Sequence, residues 1–265
     1  MQPHDTSRYA KRSGSLRRMY KSLRRATDLR PTDFGHPGRT RAIYKVFHYT
    51  MLPFARLRNA YDCMATVERE KVPGAVVECG VWAGGCVGLM ASVNKAAGNK
   101  ERPFHLFDSF EGVPQPSVHD TDVLERFAEE YPDLTPDVGD GTSELVPIGI
   151  CSAPLDKTKE LFFRVLDIDP AQVHIHQGWF QDTIPATKAE IGDIALLRLD
   201  GDWHESTKVC LDNLYDQLVP GGFLIIDDYG CFSGCTKATD DFFAARGETP
   251  TFVDVDGECV FFRKS

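Results

Sequence analysis

Apolar and polar positions change their rhythm along this chain. Beyond residue 73, short unbroken apolar runs alternate with segments whose apolar residues recur at helical spacing. "AVVECGV" (75–81), "FHLFDSF" (104–110), "QVHIHQGWF" (172–180), "IALLRLDGD" (194–202) and "FLIIDDYG" (223–230) have the length and composition of buried strands. "GGCVGLMASVNKAAG" and "LDKTKELFFRVLDI" read as helices, as does the segment that carries Leu211, Leu214, Tyr215 and Leu218 on one face. Pro220-Gly221-Gly222 is expected to turn the chain into the fifth strand. "TFVDVDGECVFFRK" is expected to form a hairpin about Asp256-Gly257. Five β-α units closed by a hairpin imply an α/β fold: a mostly parallel sheet with helices on both faces and an antiparallel C-terminal pair. Ligands of such sheets sit at the carboxyl ends of the strands.

Residues 1–70 have a different texture and form an expected N-terminal extension to a domain spanning 71–265. "AIYKVFHYTMLPFARLRNAYDCMATVERE" is apolar enough to pack on the core or over the site, with Pro53 splitting it into two helices. Residues 1–45 carry twelve Lys/Arg and three acids, or +9, so the remaining 220 residues must carry −18 to give the total of −9. Leu16, Met19, Tyr20 and Leu23 recur at helical spacing inside this basic arm. Docking on the acidic body or a neighbouring subunit is favoured over a membrane surface, and an acidic body repels a nucleic-acid backbone. A second acidic concentration interrupts the domain. Residues 111–145 hold ten acids and one arginine, so 111–153 reads as an acidic insert, with "VLERFAEEY" as a short helix, placed to act as a lid.

At 42% hydrophobic, 265 residues suffice for one large core with extensions. Eight scattered cysteines without CxxC pairs suggest reduced thiols rather than a disulfide or zinc framework. No run of 18 apolar residues and no signal-peptide core is present, which points to the cytoplasm.

The candidate chemistry lies where the runs end in charge. Glu78, Asp108, Asp200, Asp202, Asp227 and Asp228 stand at or just beyond predicted strand ends, and the sheet would gather them along one edge. One such acid is readily explained as a helix cap or turn. Acids at nearly every strand end call for a cationic ligand, because burying them without opposite charge is costly. "VVECGVWAGG" places Glu78 before Gly80 and then Gly84-Gly85, which lets the backbone turn tightly past a ligand at a helix N-terminus, but it lacks the G-x-G-x-x-G dinucleotide spacing. Asp108, followed by Ser109, ends the second strand, where a carboxylate can accept ribose hydroxyls. S-adenosylmethionine, an adenosine with a cationic amino-acid tail, meets these demands.

"ECGVWAGG", "FDSFEGVPQP", "GWFQDTIP", "LRLDGDWHEST" and "PGGFLIIDDYG", in this order over roughly residues 60–265, resemble the macrocin O-methyltransferase (TylF-like) family. The resemblance implies a class I methyltransferase fold, S-adenosylmethionine, and Mg²⁺ held by Asp200, Asp227 and Asp228. It also implies Gly178, Trp179 and Phe180 as part of the adenine wall, a homo-oligomer, and a sugar hydroxyl on a natural product or glycan as acceptor. Three carboxylates suit a hard octahedral cation, and Asp200 is placed to take the hydroxyl proton. Where the family commonly reads LDGDLYES, this chain has Trp203 and His204, so His204 is a second candidate base. The rival readings are a non-catalytic scaffold of the same fold, methylation of a catechol-like hydroxyl, a metal-dependent hydrolase, and nucleic-acid methylation.

Overall fold

The computed structural model describes residues 30–120, 138–139 and 145–265. The basic arm before residue 30 and the expected helix "VLERFAEEY" lie outside the described residues. A seven-stranded sheet runs in the order β3-β2-β1-β4-β5-β7-β6. The strands are β1 (Ala75–Cys79), β2 (Phe104–Asp108), β3 (Val173–Gln177), β4 (Ile194–Leu199), β5 (Leu218–Ile226), β6 (Val253–Asp254) and β7 (Val260–Arg263). The first five are mutually parallel, and β7 pairs antiparallel with β5 and β6. This is the sheet the sequence implied.

Period-two alternation assigns each face. Val76, Leu106, Leu196, Phe223 and Ile225 pack with α1 (Pro37–Val46), α2 (Phe54–Arg69) and α3 (Gly85–Ala97). The same core takes in α4 (Leu155–Lys159) and the wide π turn that continues it over Glu160–Val165. Their neighbours Val77, Leu197, Leu224 and Ile226 face α5 (Phe180–Ile191), α6 (His204–Leu214) and α7 (Ser233–Arg246). Pro53 caps α2 and separates it from α1, as the sequence indicated.

Two local readings need correction. Pro220-Gly221-Gly222 does not precede β5 but lies within it. The register jumps from Ile194↔Leu218 to Leu196↔Phe223, so the three residues form a bulge, and a Cβ at Gly222 would stand 2.8 Å from the Ala195 carbonyl oxygen. The C-terminal hairpin forms, but not as a two-residue turn. β6 and β7 are joined by residues 255–259, because Asp256 directs its carboxylate to the Cys259 amide and to Arg56 of α2. The loop thereby reaches the mouth of the site.

Candidate active site

The predicted strands overran the observed carboxyl ends by two to four residues, and those residues gather at the candidate site. Three of these strands stop where the chain enters a backbone conformation that side chains rarely adopt: Trp82 after β1, Phe110 after β2 and Asp202 after β4 have φ of 50°, 60° and 60°. Gly80 is at φ 89°, and a Cβ there would lie 1.8 Å from the Asp200 carbonyl oxygen, so glycine lets the ends of β1 and β4 touch.

Beneath this edge lies a buried ionic network centred on Arg198, which is 1% exposed within β4. Its guanidinium donates to Glu78 Oε1 at 2.7 Å, to Asp200 Oδ2 at 2.9 Å and to Asp227 Oδ1. A second buried arginine arrives from α2: Arg56 donates to Asp227 Oδ2 at 2.6 Å, to Asp256 Oδ2 at 2.8 Å and to Glu258. Neither arginine was singled out from the sequence. Arg198 had a signal, since an arginine inside "IALLRL" must meet carboxylates if the strand is buried. Arg56 had none, because a lone arginine on an amphipathic helix looks like its solvated face.

The network divides the expected site residues. Glu78 is fully buried and committed, holding Arg198 with one oxygen and the Val87 amide of α3 with the other at 2.9 Å. Burial pushes its carboxyl up to about 7 despite Arg198. Asp227 commits both oxygens to arginines. The carboxylates that converge are Asp200, Asp202 and Asp228, whose nearest oxygens lie within 4.8 Å of one another. No cationic side chain among the described residues bonds to Asp202 or Asp228. Withdrawal from solvent and then Asp227 raise the Asp200 carboxyl to about 6, while withdrawal from solvent and then Asp200 raise Asp202 to about 8. Asp228 is also raised, by burial and then Asp202. This all-oxygen set fits a hard divalent cation, which would relieve the repulsion.

Two cavities meet at Asp200 and Asp202. The larger cleft, about 790 Å³, is bordered by Thr50, Met51, Leu52, Pro53 and Arg56 of the N-terminal extension and by Glu78, Asp200, Asp202, Asp227 and Asp228. The smaller, about 100 Å³, is bordered by Asp108, Ser109, Gly178, Trp179 and Phe180, which brings together five residues expected to hold the cofactor. Gly80, Trp82, Asp200, Asp202 and Met51 border both. Asp108 accepts from the Val81 and Trp82 amides at 2.8 Å each and from the Phe110 amide at 2.6 Å, so it also fixes the two loops that frame the smaller cavity. Gly84, at φ 83°, caps α3 below them. His204 is placed elsewhere. It borders neither cavity, and its ring packs against His119 of the insert with centroids 4.3 Å apart. The sequence expectation of an imidazole base in the cleft therefore finds no support in its position.

The family model described as Macrocin-O-methyltransferase (TylF) matches residues 5–264. The chain belongs to this family. Among characterised relatives, the 8-demethyl-8-(2,3-dimethoxy-alpha-L-rhamnosyl)-tetracenomycin-C 4'-O-methyltransferase of Streptomyces olivaceus is 37% identical over 81% of this chain and 75% of its own length. The demethyldecarbamoylnovobiocin O-methyltransferase of Streptomyces niveus is 33% identical over 82% and 76%. The mycinamicin III 3''-O-methyltransferase of Micromonospora griseorubida is 32% identical over 84% and 81%. Of solved structures, the O-methyltransferase NovP superposes with a TM-score of 0.69 at 29% identity, covering 82% of each chain. The calicheamicin methyltransferase CalS11 shares the fold, with a TM-score of 0.58 at 18% identity over 86% of this chain and 92% of its own. Family membership makes this chain an S-adenosylmethionine-dependent O-methyltransferase of class I fold.

Proposed function

We propose that the enzyme methylates a sugar hydroxyl on a glycosylated natural product, in the cytoplasm, with a divalent cation such as Mg²⁺ at the strand-end carboxylates. The observation that carries this reading is the position of Asp200 and Asp202, on the wall shared by the two cavities. The lining of the smaller cavity suits part of the adenosine of S-adenosylmethionine, with Trp179 and Phe180 beside the base and Asp108 and Ser109 toward the ribose, and the remainder would extend past the shared wall. The larger cleft suits the acceptor, whose apolar ring system would lie along Met51, Leu52 and Pro53. The named substrates of the relatives support a glycosylated acceptor.

Asp200 and Asp228 hold the cation in this reading. Asp202 completes the set as the chain stands, whereas Asp227, the ligand expected from the family resemblance, joins only by exchanging an arginine for the ion. When bound, the ion would acidify a hydroxyl oriented toward it. The neighbouring carboxylates are placed to take the released proton: Asp202, which borders both cavities, or Asp200, the base favoured from the sequence. Gly80 and Trp82 border both cavities, where the methyl donor and the acceptor would meet.

The test offers the purified enzyme glycosylated natural products that carry a free sugar hydroxyl, alongside the matching aglycones, with Mg²⁺ or with EDTA. Methylation of the sugar in Mg²⁺ and its loss in EDTA are expected. Full activity in EDTA would remove the metal from the mechanism, and methylation of a phenolic aglycone instead would favour the catechol-like reading.

A further inference from the structure

Outside the cleft, a second group of metal-ligating side chains joins the insert to the core. His119 stands in the insert, and His204 and Glu205 open α6. One ligand atom of each lies within 4.8 Å of the others. His204 Nδ1 lies 2.9 Å from Glu205 Oε1, and the His204 ring packs on that of His119. Two imidazoles and one carboxylate differ in kind from the all-oxygen trio of the cleft. Nitrogen-rich sets select zinc and similar divalent ions over Mg²⁺, and neighbouring ligand atoms about 3 Å apart can share one such ion.

The surroundings hold this group in place. Asp120, completely buried, accepts from the His204 backbone amide at 2.8 Å with one oxygen and from the Ser117 amide and hydroxyl at 2.9 and 2.6 Å with the other. It occupies the space left by the missing side chain of Gly234 in α7, where a Cβ would stand 1.8 Å from Asp120 Oδ1. One carboxylate therefore fixes the chain on both sides of the group: residue 119 precedes it and His204 is bonded to it. His204 is 9% exposed and so held in orientation, while His119 is exposed and free to turn onto an ion.

We propose that His119, His204 and Glu205 form a second metal site, selective for a borderline divalent ion such as Zn²⁺, that fastens the insert to α6 beside the catalytic cleft. Three protein ligands leave the fourth tetrahedral position to water. The proposal does not depend on the acceptor or on the metal of the cleft.

The test is calorimetric titration of Zn²⁺ into full-length, tag-free protein in excess Mg²⁺, with His119→Ala, Glu205→Gln, Asp200→Asn and Cys151→Ser variants in parallel. One Zn²⁺ per chain should bind to the wild type, to Asp200→Asn and to Cys151→Ser. It should bind at least about tenfold more weakly to His119→Ala and Glu205→Gln. Because His119 is exposed, its alanine variant is expected to fold, and an unchanged melting temperature in EDTA checks this. Unchanged affinity in His119→Ala overturns the proposal, as does loss of the ion in Asp200→Asn or Cys151→Ser instead.

Discussion

Asp227 and Asp202 are both aspartates just past strand ends, yet their environments give them opposite consequences when neutralised. Asp227 is clamped by two buried arginines. Asp227→Asn should leave Arg56 and Arg198 poorly compensated and lower stability by about 3–5 kcal/mol, read as a reduced urea midpoint. At a solvent-reachable strand end without such partners, the same exchange would leave the fold intact. For Asp227 the clamp alters that expectation. Asp202 faces like charges with no cationic partner bonded to it among the described residues, so Asp202→Asn should raise the melting temperature of metal-free protein while lowering turnover by about 10²-fold or more. S-adenosylhomocysteine affinity should change little. A destabilised Asp202→Asn, or a wild-type melting curve for Asp227→Asn, would contradict this assignment of charges.

Among the elements, the β2-β3 edge and the insert make separate predictions. His105 of β2 pairs with His174 and has its Nδ1 3.0 Å from His176 Nε2, with the rings stacked at 4.7 and 5.3 Å. Burial, then the two neighbouring imidazoles, lower the His105 pKa to about 3, and burial lowers that of His176 as well. A depressed folded-state value means that the unfolded chain takes up protons first. The stability involved is therefore present above the unfolded pKa of about 6.5 and is lost as pH falls toward 3. Between pH 7 and pH 5 His105 should cost the fold about 2 kcal/mol, against an opposite gain from the raised carboxyls of the cleft, so the pH dependence of the urea midpoint should differ by about that amount between wild type and His105→Phe. An identical slope in the variant would place the proton uptake elsewhere. For the insert, Asp120→Ala should release the chain from α6 and α7. Acceptor KM should rise several-fold with S-adenosylhomocysteine binding retained, because the partners of Asp120, Ser117 and His204, do not border the smaller cavity. Weakened cofactor binding with an unchanged acceptor KM would show that the insert serves the other cavity.

For the whole molecule, the point of interest is how the N-terminal extension joins the domain. Asp33 accepts from Arg39 at 3.0 Å and from Arg58 at 2.9 Å, and Arg39 continues to Asp62, so residues from 33 onward belong to the folded body. The extension and the domain share one core, through Ile43, Val46, Leu57 and Met64. The division at residue 70 thus describes composition more than packing. No helix among the described residues is long and apolar enough to cross a membrane, and no disulfide joins any of the eight cysteines. The basic segment before residue 30 is proposed to bind the acidic body or a neighbouring subunit. Deleting residues 1–29, rather than a longer stretch that would cut the Asp33 network, should weaken self-association and lower kcat without removing cofactor binding. An unchanged oligomer by light scattering, with lost binding to anionic vesicles, would identify a membrane-docking arm instead.

What the sequence determined by itself was the order of strands and helices and the edge at which chemistry occurs. Apolar runs of strand length must be buried, and acids at their carboxyl ends must gather when the strands align in parallel. It also supplied Asp108 and Ser109 and, through the family resemblance, Gly178, Trp179 and Phe180 of the smaller cavity, because the motifs "FDSF" and "GWF" are short and local. Tertiary structure decided how the gathered acids divide their work. Whether Asp227 meets an arginine or an ion depends on Arg56, 171 residues away in the chain. Whether His204 faces the cleft or the insert depends on the backbone turn at Asp202 and on Asp120, 84 residues distant. Neither contact leaves a local trace, since a residue's type and spacing set the face it occupies, while its partner is set by which other segment closes over that face.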